Sequence, residues 1–229
     1  MSTEIPPRGG PESGALQILA TEHWSLLATR SLTYMEALGR VNMFLTILSG
    51  AVIALALVAQ ADRFGPAFIA IAIFMLAVVC LTGVFTVARL QSLNRDDFRW
   101  VLGMNRLRNA YLDLHPELDP HFTTSPYDDL PGALQTLGIN PVGADRLGTW
   151  FHGLQTLPGM LSMIVASVAG AIGGLIAVGF GATPVVVVLS GIAAFVLAAL
   201  GMATWLRRSV TRLSPGLEAR FPSPPKSPT

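Results

Sequence analysis

Four stretches of the chain, residues 41–61, 66–88, 159–180 and 185–206, contain no Asp, Glu, Lys, Arg or His. At 1.5 Å of rise per residue each forms a helix of roughly 30 Å, the thickness of the hydrocarbon layer of a bilayer. Backbone N–H and C=O groups in that layer have no water to bond, so a spanning segment must satisfy its own hydrogen bonds as a helix. The sequence therefore predicts an all-α membrane protein with four transmembrane helices. Short links join the spans within each pair, giving two hairpins over 41–88 and 159–206, with a cytoplasmic insert over 89–158 between them.

The positions of the basic residues predict the orientation. Arg63 alone lies at a hairpin tip, while the other 14 of the 15 basic residues lie before the first span, in the insert or after the fourth span. The positive-inside rule then places both termini and the insert in the cytoplasm, with the hairpin tips outside. Arginine outnumbers lysine 14 to 1, which points to a GC-rich bacterial genome and hence to the inner (plasma) membrane. Ala59-Gln60-Ala61 has the form of a signal-peptide cleavage site. However, a polar lead of about 40 residues and an apolar run of about 20 are both too long for a secretory signal.

Composition excludes several function classes. Only 13% of residues are charged, against about 25% in soluble domains. A net charge of +1 without a dense basic run gives no footprint for nucleic acid. One cysteine, Cys80, allows neither an intrachain disulfide nor a paired-cysteine metal site. Proton relays, ion-coupled transporters and voltage sensors need intramembrane ionisable groups, and the spans contain no Asp, Glu, Lys, Arg or His.

The flanking segments carry their own patterns. Residues 1–14 and the chain from Ser214 are rich in proline and glycine and are expected to be disordered. Residues 15–40 form an amphipathic cytoplasmic helix, with Leu16, Leu19, Trp24, Leu27, Tyr34 and Leu38 on one side, running into the first span. The second span continues to Pro116. Its apolar face carries Leu90, Leu93, Phe98, Val101, Met104, Tyr111 and Leu114; Arg95, Asp96, Arg99, Arg106 and Arg108 lie on the others. Paired antiparallel, these extensions make a helical stalk. Leu147, Trp150, Phe151 and Leu154 predict an interfacial helix near 145–156, and 207–229 is a basic, proline-rich tail.

Three constellations carry candidate chemistry. Ser162, Ala166, Gly170 and Gly174 recur at four-residue steps in the third span, and the fourth span has Ser190, Ala194 and Ala198. Small residues let helix backbones approach closely in lipid, either within the second hairpin or between copies in a homo-oligomer. Asn42, Thr46, Ser49 and Gln60 fall within about 60° on the first span. That stripe either bonds a neighbouring helix or lines a pore. His115, Glu117, Asp119 and His121 are the candidate metal ligands, although Pro116 and Pro120 interrupt them and no standard ligand spacing is present. The chain has no phosphate loop or nucleophile elbow, so the reading is of a non-enzyme without a cofactor.

The segment LLATRSLTYMEALGRVNMFLTILSGAVIALALVAQ, followed by DDFRWVLGMNRLRNAYLDLHPEL, resembles a set of uncharacterised bacterial membrane proteins of high-GC genomes. The likeness runs from Ser25 to about Leu118. Helix, membrane hairpin and returning helix are also similar in layout to two-span SLATT effectors, a resemblance that implies membrane perforation. The third and fourth spans depart from that two-span layout. The expected role is a structural or interaction protein of the lipid bilayer, its protein partner unspecified. An oligomeric pore or membrane-perturbing effector comes second, and a metal-dependent enzyme or sensor using the insert comes third.

Overall fold

The computed structural model describes residues 11–139, 156–211 and 218–224, and these are helical or irregular, with no strand among them. Four helices are long and apolar enough to cross a membrane. They are α1 (Pro11–Asp62), α2 (Pro66–Leu114), α4 (Leu157–Gly179) and α5 (Pro184–Thr211). Between α2 and α4 lie a 3-10 helix (Pro116–His121) and the short α3 (Leu130–Thr136). The expected interfacial helix near 145–156 falls almost wholly outside the described residues.

Length separates the four long helices into two kinds. With 52 and 49 residues, α1 and α2 are about 75 Å long, over twice a hydrocarbon layer. Roughly half of each must lie beyond any membrane it crosses. With 23 and 28 residues, α4 and α5 match a single crossing. Helix α1 starts at Pro11, four residues before the expected start at Ala15; proline suits a first helical turn because its missing N–H would have no partner there.

The chain divides into two compact units. One comprises residues 35–94 and 145–215. Along α1 its core positions are Ala37, Val41, Phe44, Leu48, Ala51 and Leu55, which alternate four- and three-residue steps. This 3.5-residue period is that of helices packed knobs-into-holes. They meet Leu76, Val79, Val87, Leu90 and Leu93 of α2, Leu161, Val165 and Val168 of α4, and Met202 of α5. Gly83 marks the tightest point, since a Cβ there would collide with Val165 and lie 2.9 Å from the Phe44 ring.

Tight links punctuate this unit. Between α1 and α2, Arg63 and Phe64 adopt φ of 47° and 63°, a left-handed geometry that costs side-chain-bearing residues roughly 1 kcal/mol each. Asp62 holds the turn: its carbonyl accepts the Gly65 N–H (2.9 Å) and its carboxylate the Phe68 N–H (2.7 Å). Helix α4 is capped by Thr156, whose hydroxyl accepts the Gly159 N–H at 3.2 Å. Past its C-cap Phe180, Gly181 adopts φ 71°, with the Ala182 N–H bonded to Ala177 O and the Gly181 N–H to Val178 O. Those paired bonds define a Schellman ending, which favours glycine at its left-handed position.

Where the charge-free part of α1 begins, Glu36 accepts from Arg40 Nε (2.9 Å) and from Arg89 Nε (2.9 Å) and Nη2 (3.0 Å) of α2. Hydrogen bonds from Arg89 first, then Arg40, lower the Glu36 pKa from 4.5 to about 2. A carboxylate so lowered stabilises the fold fully above pH 4.5 and loses that contribution as pH falls toward 2. In thermal unfolding of the solubilised protein, Glu36→Gln is expected to be less stable than wild type at pH 7, by at most about 1 kcal/mol because the pair is partly open to solvent. The difference should close as the pH approaches 2.

Candidate functional site

The second unit comprises residues 1–34, 95–144 and 216–229 and holds the densest polar geometry. Its frame is the first part of α1 against the last part of α2. Arg30 of α1 grips Asp97 of α2 with Nε at 2.6 Å and Nη2 at 3.3 Å. Leu26 lies over Gly103, where a Cβ would come within 3.2 Å of it. Three residues placed on the inner face of α1 by sequence point outward instead: Trp24 is 71% exposed, and Tyr34 and Leu27 are also exposed. The 3.5-residue seam carries polar His23 and Arg30 at inner positions, so the apolar pattern alone misplaces the face.

Asn105 is the centre of this unit, with no exposed surface. Its Nδ2 donates to Tyr127 O (2.7 Å), while its Oδ1 accepts from Arg108 Nη1 (2.7 Å) and Thr136 Oγ1 (2.9 Å). One amide thus ties α2 to the following loop and to α3. Arg108, assigned by sequence to a polar outer face, is instead buried, 8% exposed. The hydrogen bond to Asn105 Oδ1 makes that burial tolerable. Burial and then the Arg30 charge pull the Arg108 pKa down. Burial, with Arg108 second, lowers that of His23, whose ring is 6.2 Å from Tyr111. The His23 Nδ1 is buried and unpartnered.

Two adjacent carboxylates organise the loop and the tail. Asp129 caps α3, accepting the Gly132 N–H at 2.8 Å, and a Cβ on Gly132 would collide with Tyr127 O. Asp128, whose side chain is fully buried, accepts from Arg106 Nε at 2.6 Å. It also accepts the backbone N–H of Arg220 (3.1 Å) and Phe221 (2.7 Å). Asp129 takes the Ser223 N–H (2.7 Å) and hydroxyl (2.8 Å). Burial pushes the Asp128 carboxyl up, but the Phe221 N–H, Arg106 and the Arg220 N–H outweigh it and hold the group below its ordinary value. Asp129 behaves alike, through Ser223 and Gly132. Residues 218–224, part of a tail expected to be disordered, are therefore held by these bonds, with a bend at Arg220 and Phe221. Proline and glycine content described the segment alone and missed the carboxylates that receive it.

The sequence-predicted candidates fare differently. His115 Nδ1 lies 3.0 Å from Glu117 Oε1, while Asp119 and His121 are exposed on the 3-10 helix. Among the described residues no three His, Cys, Asp or Glu side chains converge as a metal site. On α1, Asn42, Thr46, Ser49 and Gln60 are all exposed, and the Thr46 hydroxyl donates to its own helix at Asn42 O (2.9 Å). Gly170, Gly173 and Gly174 of the third span lie where α4 meets α5. A Cβ on Gly170 would lie 3.0 Å from Gly191 O, and one on Gly173 2.6 Å from the Ala194 Cβ and 3.0 Å from Ser190 O. Gly174 is looser, 3.7 Å from Val187 O. Ser162 and Ala166 are buried and Ala198 half-buried. Gly191, which sequence reasoning did not single out, belongs to the crossing; its small size beside Ser190 was the available signal.

Comparison of the chain with protein-family models, with curated proteins and with solved structures found no match. Function must be read from the geometry.

Proposed function

We propose that this chain is a non-enzymatic, multi-pass inner-membrane protein with a structural or interaction role. Its long helices cross the bilayer as two hairpins, and its second unit, both termini included, lies in the cytoplasm. The observation that carries this reading is the outer surface of the four apolar helices, which presents Ile53, Leu57, Phe74, Phe85, Met160, Val185 and Leu197. Exposed apolar surface of this extent is tolerable in lipid and a liability in water. The polar groups of the second unit support a structural role, because Asn105, Asp128 and Asp129 are spent on holding the loop, α3 and the tail in place.

One observation favours a second reading, an oligomeric pore. The exposed polar stripe on α1 bonds no neighbouring helix through Thr46, and copies of the chain could enclose it around a water-filled axis. Reconstitution decides between them. The first reading predicts no ion flux from protein-containing liposomes above the lipid-only control, whatever the oligomeric state in nanodiscs. Flux from the wild type, abolished by Thr46→Leu with Ser49→Leu, would replace it with the pore.

A further inference from the structure

We propose that Asp128 and Asp129 form a peptide-docking site for a Phe-Pro-Ser segment that bends at its first residues, which the chain's own residues 220–223 fill in cis. The pattern of donors and acceptors carries the assignment. Two successive amides, of Arg220 and Phe221, reach the Asp128 carboxylate at 3.1 and 2.7 Å, and the Asp128 N–H returns to Phe221 O at 3.1 Å. Pro222 follows and has no N–H, so the gap between the two carboxylates leaves no donor unsatisfied. Ser223 then offers N–H and hydroxyl together to the two oxygens of Asp129, at 2.7 and 2.8 Å. Arg106, bonded to Asp128 at 2.6 Å, balances the buried charge and extends an Nη2 to Glu218 O at 3.5 Å.

Such a site reads the backbone for affinity and one side chain for selectivity. Main-chain hydrogen bonds commonly supply the affinity in peptide recognition, and proline lessens the ordering cost because its φ is already fixed. Selectivity lies at Ser223. Its hydroxyl proton points to a carboxylate, so alanine there loses a charge-assisted bond. A phosphorylated serine lacks the proton and brings about two negative charges against Asp129. The site therefore takes free serine and rejects phosphoserine. Any partner presenting the same order of donors competes with the tail, at a disadvantage set by the tail's high effective concentration.

This docking chemistry is independent of whether the apolar helices cross a bilayer, so its failure is separable from that of the proposed membrane role. The test uses the full-length chain in nanodiscs carrying Phe221→Pro and Ser223→Ala, which remove two tail donors and leave both carboxylates intact. The probe is a labelled synthetic peptide of residues 216–226, followed by fluorescence anisotropy. Saturable binding is expected, with wild type at least about 10-fold weaker because its own tail competes. In the peptide, alanine at the serine position should weaken binding about 10-fold, and phosphoserine should weaken it at least as much. Absence of saturable binding up to millimolar peptide, or equal binding of the phosphoserine form, would overturn the assignment. Because the decisive changes are in the peptide, the result does not depend on Asp128 or Asp129 variants folding.

Discussion

Replacing Gly173 by leucine is expected to force α4 and α5 apart and to lower unfolding stability by about 3 kcal/mol or more. Even the first carbon of a side chain has no room there, 2.6 Å from the Ala194 Cβ and 3.0 Å from the Ser190 carbonyl. The obstruction is largely backbone, which cannot rotate away as a long side chain would. In lipid the penalty is undiluted, since packing rather than exclusion from water holds helices together. The neighbouring glycine supplies the control. A Cβ on Gly174 meets nothing closer than 3.7 Å, and alanine is the better helix former by up to about 1 kcal/mol. Gly174→Ala should therefore melt at or above the wild-type temperature while Gly173→Ala melts below it. Equal melting of the two alanine variants would show that α4 and α5 do not cross at Gly173.

The second large effect is expected at Asn105. Truncation to alanine removes the acceptor of Arg108 and Thr136 and the donor to Tyr127 O in one step. The buried Arg108 guanidinium is then left without its amide partner, beside the like charge of Arg30. A neutral buried group stranded in this way costs about 1–3 kcal/mol, and a charged one more. Asn105→Ala should thus lose about 2–4 kcal/mol, read as a drop in the denaturation midpoint of the second unit. Asn94→Ala, at an exposed position of the same helix, should stay within about 0.5 kcal/mol of wild type.

The apolar helices were legible because each rests on a single strong rule, the pairing of length with the absence of charge. Their continuation was legible too: no proline interrupts the sequence from Ala15 to Asp62 or from Ala67 to Leu114, and α1 and α2 run unbroken through those ranges. The inner face of α1 was not. A period of 3.6 places Trp24, Leu27 and Tyr34 inward, while the helix follows 3.5, and its seam carries His23 and Arg30. Arg108 was misplaced for the same reason, because a buried cation is recognisable only once Asn105 is seen beside it. The Asp128–Asp129 site joins residues more than 90 positions apart in sequence. Nothing periodic marks such a pairing. Two acidic residues in an irregular loop and a proline-rich tail carry no signal of each other until folded.

The proposed orientation of the chain across a membrane is tested most directly by cysteine labelling in intact cells. With Cys80→Ala as background, single cysteines replace Arg63, Ala182 and the exposed Asp119, and a membrane-impermeant maleimide is applied before and after permeabilisation. Labelling at Arg63→Cys and Ala182→Cys in intact cells, with Asp119→Cys reacting only after permeabilisation, is the predicted result. Labelling of Asp119→Cys from outside, or protection of either turn, would contradict a four-span protein with its polar unit in the cytoplasm.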